Sequence, residues 1–212
     1  MAALDLQEQE QVESLKAWWK ENGNKVLGVL LAAVVAMGGW RGWQYYQHKQ
    51  SLEAATLYAE FVRQLESNDA RRVNDAAAAV MEKYASSGYA PRAALVAAQV
   101  NVQDKDAARA KTQLQWVIDH AGEDGLKDVA RLRLAALLLD EKKYDDALKL
   151  LEAKHPAAFD GLYADLRGDV LSAQGRKGEA RTAYKLAYEK TDARSMYRNL
   201  IEMKLDALEE AK

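Results

Sequence analysis

The longest run of apolar residues lies near the N-terminus, from Val26 to Trp40, and it contains neither a charged residue nor a proline. Lys25 precedes this run and Arg41 follows it. If the helix continues to Tyr46, it is about 31 Å long at 1.5 Å per residue, and the apolar core of a bilayer is about 30 Å thick. Because lysine and arginine at helix ends can extend toward the lipid headgroups, the pattern predicts one transmembrane helix.

The predicted span divides the chain into a tail of residues 1–24, a transmembrane helix of residues 25–46 and a domain of residues 47–212. Positive charges near the span favour a cytoplasmic N-terminus, since acidic residues count little in this rule. Three of these charges precede the span and two follow it: Lys16, Lys20, Lys25, Arg41 and Lys49. The count favours, by a margin of one charge, a C-terminal domain on the far side of the membrane from the cytoplasm.

Two other interpretations of the apolar run are open. Ala36-Met37-Gly38 has the small–x–small pattern of a signal-peptide cleavage site, although the long acidic tail and the bulky Trp40 and Arg41 are atypical of one. A helix buried in a soluble core usually has a polar face, and this run has none. An uncleaved anchor is favoured over both.

Small residues recur at a spacing of four within the predicted span. Such residues let two helices approach closely in lipid, and Gly38 and Gly42 form the GxxxG pattern that is typical of paired helices. Incidental composition is the other interpretation, because glycine and alanine are common in any span. The predicted packing residues are Gly28, Ala32, Gly38 and Gly42.

The tail has an amphipathic pattern of its own. Val12, Leu15 and Trp19 share one helical stripe, which predicts a short helix in the headgroup region. We expect Asn22-Gly23-Asn24 to break this helix before the span. Because the pattern covers only three turns, a frayed polar tail is the alternative.

Beyond Gln47 the chain is rich in Ala, Leu, Glu, Lys and Arg, and the whole sequence contains only two prolines. This composition predicts an all-α domain. Short clusters of breaker residues divide it into helices predicted near residues 51–67, 71–86, 91–103, 106–120, 126–140, 144–154, 159–174, 177–190 and 194–210.

A repeat sharpens the predicted architecture. A small residue is followed twelve positions later by alanine, and four positions after that by a large apolar residue, in units offset by 37 and 33 residues. These offsets lie near the 34-residue tetratricopeptide period, and the small residues suit close contacts between helices. We therefore predict a tetratricopeptide-like solenoid rather than an irregular bundle. The three units are Ala98, Ala110, Leu114; Ala135, Ala147, Leu151; and Gly168, Ala180, Tyr184.

The repeat register predicts a groove along the first helices of the units. This surface would suit an amphipathic helix or a partly unfolded segment of a partner protein. Alternatively, the C-terminal helix covers the groove through Leu200, Met203, Leu205 and Leu208. In that case Asp165 only joins two helices. The predicted partner-binding residues are Leu95, Val102, Leu132, Leu139, Leu162 and Asp165.

Composition argues against several function classes. The net charge of −2 leaves no excess positive field for nucleic acid. The chain has no cysteine, and His48, His120 and His155 lie far apart without a metal-ligand spacing. Nucleotide-binding, nucleophile-elbow and zinc-protease motifs are absent from the sequence. The sequence predicts no enzymatic activity, no cofactor and no metal.

Several passages resemble the ancillary subunit of the bacterial SecYEG translocon, and the likeness covers nearly the full length. The third passage is the most specific, whereas two tryptophans stand in the tail where phenylalanines are expected. The passages are Gln11-Val12-Glu13 running through Trp18-Trp19-Lys20-Glu21-Asn22-Gly23; Gly39-Trp40-Arg41; and Ala164-Asp165-Leu166-Arg167-Gly168-Asp169 followed by Gly178-Glu179-Ala180-Arg181.

The resemblance implies a single-pass inner-membrane protein with a short cytoplasmic tail and a periplasmic tetratricopeptide-like domain. It also implies a subunit that sits beside the translocon, associates with a membrane-anchored periplasmic chaperone of the prolyl-isomerase type, and assists emerging secretory polypeptides. No catalytic residues follow from it. The rival hypothesis is a membrane-tethered scaffold for envelope assembly or division that has no part in secretion.

Overall fold

The computed structural model describes residues 6–67 and 69–210, and every regular element in these ranges is helical. The prediction of an all-α chain is confirmed. The elements are α1 (Leu6–Leu65), α2 (Ala70–Lys83), α3 (Tyr89–Gln103), α4 (Ala107–His120), α5 (Asp124–Asp140), α6 (Tyr144–Leu150), the short 3-10 helix η1 (Ala157–Phe159), α7 (Asp160–Ala173), α8 (Lys177–Lys190) and α9 (Met196–Glu210).

Helix α1 runs without interruption for 60 residues, so the predicted break at Asn22-Gly23-Asn24 is wrong. The amide of Asn22 donates to the carbonyl of Trp18 at 3.2 Å, which turns a potential helix breaker into a partner of the helix backbone. The ring of Trp19 covers Gly23, where an added Cβ would lie 3.2 Å from the indole nitrogen. Glycine inside a helix costs about 0.5–1 kcal/mol, and α1 continues through Gly23 despite this cost.

Among the described residues, α1 is the one helix that is long and apolar enough to cross a membrane. Its most apolar 18-residue window has a mean hydropathy of 1.5, and none of that window is buried. The helix predicted over residues 51–67 is the C-terminal part of α1 rather than a separate element. The described residues form two compact units, which divide between Ser51 and Leu52.

The second unit is a stack of helical hairpins formed by α3 with α4, α5 with α6 and α7 with α8. The predicted repeat register is confirmed, since all nine of its residues are buried. Phe61 of α1 packs with Val73 and Val80 of α2 against α3, so the region before the first hairpin adds a further pair of helices. Helix α9 packs on α8 and closes the other end.

The three hairpin turns have the same backbone conformation. Lys105, Lys142 and Gly175 have φ values of 63°, 60° and 77°, and they are separated by the 37 and 33 residues of the repeat. In each turn the next residue donates its N–H to the carbonyl five positions earlier, as Asp106 does to Asn101 at 2.8 Å. This is the Schellman ending of a helix, in which glycine is the usual residue at the left-handed position. The repeat therefore extends to the turns.

Candidate partner-binding surface

The first helices of the three hairpins lie side by side, since α3 contacts α5 and α5 contacts α7. Val102 and Leu162 are each 40% exposed, and Leu132 and Leu139 are partly buried. We call these four residues the first-helix face. Two of the six predicted partner-binding residues are therefore exposed, whereas Leu132 and Leu139 pack against the core of α5, α6 and α7.

A hollow of about 200 Å³ opens on this face between α3 and α5. Apolar side chains form much of it, and Arg133 and Asp140 supply opposite charges at its border. The guanidinium of Arg133 donates to the carbonyl of Leu95 at 3.1 Å, which fixes the arginine across the two helices. An apolar floor with charged borders can bind an amphipathic segment. The hollow is lined by Ala98, Gln99, Val102, Leu114, Arg133, Ala136, Leu137 and Asp140.

Leu95 and Asp165, the other two predicted residues, are buried. Leu95 belongs to the core between α3, α4 and α5. Asp165 is only 2% exposed, because helix α9 covers it. The hydroxyl of Tyr197 donates to Asp165 Oδ2 at 2.5 Å, and Lys204 Nζ donates to the same oxygen at 2.8 Å. Asp165 thus joins two helices, which is the alternative that the sequence left open.

Lys204 also donates to Asp169 at 2.9 Å, and Asp169 accepts from the hydroxyl of Tyr184 at 2.8 Å. Burial acts to lower the pKa of Lys204, but its hydrogen bonds to the two carboxylates raise that pKa above its usual value overall. Burial, together with the hydrogen bond to Asp165, raises the pKa of Tyr197. Two carboxylates, a protonated lysine and two neutral tyrosines therefore hold α9 in place.

Helix α9 covers the end of the repeat stack rather than the first-helix face at α3 and α5. Ile201 is fully buried, and Leu205 and Leu208 pack beside it against α7 and α8. Leu200 and Met203 are exposed. Of the four residues expected to cover the groove, two pack inward and two point away from the domain.

A buried amide cluster lies between α2, α3 and α4, and it was not predicted from the sequence. Asn74 and Asn101 exchange two hydrogen bonds of 2.8 Å, and Gln113 donates to Asn74 and accepts from Asn101 at 2.8 and 2.7 Å. The repeat register contained the signal. Asn101 and Gln113 each follow a small register residue by three positions, where the second unit has Leu138 and Leu150.

A larger groove of about 840 Å³ lies between α4, α5 and α6, away from the predicted residues. Trp116 and His120 stack at its border with ring centroids 4.5 Å apart.

His155 stacks on Tyr163 with ring centroids 3.8 Å apart, and its side chain lies 3.3 Å from the carboxylate of Asp160. In the part of the chain that the structure describes, no three His, Cys, Asp or Glu side chains come together to hold a metal.

The predicted packing residues of the span are all exposed on α1. A Cβ added at Gly28, Gly38 or Gly42 would meet nothing within 4 Å, and Ala32 is exposed as well. These residues present a surface of small side chains. Their pairing with another helix stays a prediction.

Comparison with known proteins gives a match over nearly the whole chain. The family model of a tetratricopeptide repeat-like domain matches residues 16–210. A protein of Neisseria gonorrhoeae named ancillary SecYEG translocon subunit is 31% identical, with 97% of this chain and 99% of the relative covered. Proteins of the same name from Escherichia coli and Haemophilus influenzae are 30% and 26% identical, covering 95% and 97% of this chain and 96% and 100% of their own lengths.

Proposed function

The chain belongs to the family of ancillary SecYEG translocon subunits, and we propose that it is a non-enzymatic subunit that associates with the SecYEG translocon. The observation that carries the proposal is the 31% identity to a protein of that name over 97% of this chain. The matched region includes the apolar part of α1 as well as the repeat domain. Both the anchor and the helical domain therefore support the proposal.

The proposed topology is a single pass through a bacterial inner membrane. Residues 1–24 lie in the cytoplasm, residues 25–46 cross the bilayer and residues 47–212 lie in the periplasm. The long apolar helix supports the anchor, and the three positive charges before the span, against two after it, support the orientation. A periplasmic domain would stand beside the exit of the translocon.

The proposed partners of the domain are a membrane-anchored periplasmic chaperone of the prolyl-isomerase type and emerging secretory polypeptides. They bind the first-helix face, where Val102 and Leu162 offer exposed apolar area and Arg133 and Asp140 offer charges at the border. Such a surface binds an apolar stripe of another chain while polar groups at its border remain solvated. The domain thereby brings a chaperone and its client together at the membrane.

Site-specific crosslinking in intact membranes tests this function. Because the chain has no cysteine, Val102→Cys and Leu162→Cys each provide one attachment point for a photoreactive group. We expect both variants to capture translocon subunits, the chaperone or secretory polypeptides. Leu186→Cys on α8, where the native side chain is 45% exposed, is the matched control and should capture far less.

Capture of cell-wall or division proteins in place of secretion proteins would support the rival scaffold and overturn the proposed function. Equal capture by the Leu186→Cys control would instead show that capture does not depend on the first-helix face. In that case the translocon association would stand, and the first-helix face would not be its binding site.

A further inference from the structure

We propose that the outer face of α9 binds a polypeptide segment that combines an apolar helical face with lysine or arginine. This surface is distinct from the first-helix face. It consists of a stripe of apolar residues bordered on one side by acidic residues.

The stripe follows helical spacing along α9. Met196, Leu200, Met203 and Ala207 occur at intervals of four, three and four residues, which places them on one face. Met196 is 88% exposed, Met203 is 67% exposed and Leu200 is 45% exposed. Single exposed apolar residues are ordinary on protein surfaces, but three large ones in a row along one helix form a patch.

Packing of α9 does not need this stripe. The opposite face of the helix supplies the contacts to the domain, through Ile201 and Leu205 in the core and through Tyr197 and Lys204 to Asp165. The terminal helix of a repeat array normally has a polar outer face, because no further repeat covers it. An outer face rich in apolar residues is therefore the feature to explain.

The acidic border indicates the charge of the occupant. Glu202 and Asp206 lie one turn apart beside the stripe, and both are exposed. Lys204, a cation within the same helix, is held by Asp165 and Asp169 on the other side. A partner with lysine or arginine next to its apolar residues would match this border.

The same charges disfavour two other occupants. An anionic lipid surface would be repelled by Glu202 and Asp206. A second copy of α9 in an antiparallel, face-to-face pair would bring the two acidic borders together, since a twofold axis keeps both on one side.

Methionine is flexible and polarisable, so Met196 and Met203 can adapt to partner segments of differing sequence.

Peptide binding to the full chain in phosphatidylcholine nanodiscs tests the proposal. The probe is a labelled 18-residue helical peptide with leucine on one face and lysine along its borders, and empty nanodiscs give the background. We expect the Leu200→Ser, Met203→Ser double variant to weaken binding about tenfold, and Glu202→Lys with Asp206→Lys to weaken it by a similar factor. Leu186→Ser, at the same 45% native exposure as Leu200, and Glu189→Lys on α8 should leave it unchanged.

Three results would overturn the proposal. One is equal binding of a peptide in which glutamate replaces lysine, and another is an equal loss in the α8 controls. The third is disulfide-linked dimer formed efficiently by the Met203→Cys variant under oxidising conditions, because it would identify a second copy as the occupant. A dye attached to the thiol of the Met203→Cys variant reports directly on the stripe. Its signal should change when the lysine peptide binds, whether or not the serine variants stay folded.

Discussion

The ring of Tyr184 occupies the space that a side chain at Gly168 would fill. A Cβ built on Gly168 would lie 2.4 Å from the ring, closer than real contacts allow. The two residues belong to α7 and α8, so the absence of a side chain sets how closely this hairpin packs.

We expect Gly168→Ala to destabilise the domain by about 1–3 kcal/mol, because the added methyl forces the buried ring and the two helices apart. Gly178→Ala is the matched control, since Gly178 lies in α8 with nothing within 4 Å of its Cβ position. Because Gly178 is the second residue of α8, alanine there should change stability by less than about 0.5 kcal/mol. Urea unfolding of the full chain in non-ionic detergent, followed by circular dichroism, gives both values, and equal effects would contradict the close packing.

A second prediction concerns the equivalent left-handed residues of the hairpin turns. Gly175→Ala should cost about 1 kcal/mol, because an L side chain is strained at a φ of 77°. Lys142→Gly should stabilise the domain by several tenths of a kcal/mol to about 1 kcal/mol, since glycine relieves that strain. Lys142→Ala, which keeps a Cβ, should change stability by less than about 0.5 kcal/mol. If Gly175→Ala and Lys142→Gly changed the free energy of unfolding in the same direction, this result would contradict the shared turn geometry.

The repeat could be predicted because it depends on residue size at fixed spacing. Ala98, Ala135 and Gly168 are small where helices meet, and no long-range information is needed to see that pattern. The close approach of Tyr184 to Gly168 follows from the same register. The anchor could be predicted as well, because its signal is a continuous run of apolar residues.

Pairings between distant residues could not be predicted in this way. The sequence left Asp165 either in the groove or between two helices, and the return of α9, 39 positions later at Lys204, decides between them. At Asn22 and Gly23, local breaker preference was outweighed by a hydrogen bond to Trp18 and by the cover of a tryptophan ring. In both cases the outcome depends on side-chain contacts that residue preference alone does not describe.

A third prediction tests the buried amide cluster. Asn101→Leu keeps a similar volume but leaves polar groups of Asn74 and Gln113 without partners, so we expect a loss of about 2–4 kcal/mol. Changing Asn74, Asn101 and Gln113 to leucine together removes every unsatisfied group and should recover most of that loss. Denaturant unfolding of the single and triple variants measures the difference. If the triple variant were destabilised, relative to the wild type, by the sum of the losses in the three single variants, the amides would not act as one network.

The last prediction is a loss of stability at alkaline pH through the contacts that hold α9. Hydrogen bonds to Asp165 and Asp169 raise the pKa of Lys204, and burial raises the pKa of Tyr197, so the folded state favours the protonated form of both groups. Their contribution is complete below the unfolded pKa values of about 10 and is lost as pH rises through the folded values. The free energy of unfolding, measured in urea by circular dichroism, should therefore change little between about pH 7 and 9 and then fall, by about 1.4 kcal/mol per pH unit for each proton that only the folded state retains.

Tyr197→Phe removes one such group while keeping the ring in the core, so its curve should fall less steeply above about pH 10. Parallel curves for the wild type and this variant would show that Tyr197 titrates alike in the folded and unfolded states, and that its hydrogen bond to Asp165 does not hold α9 in solution.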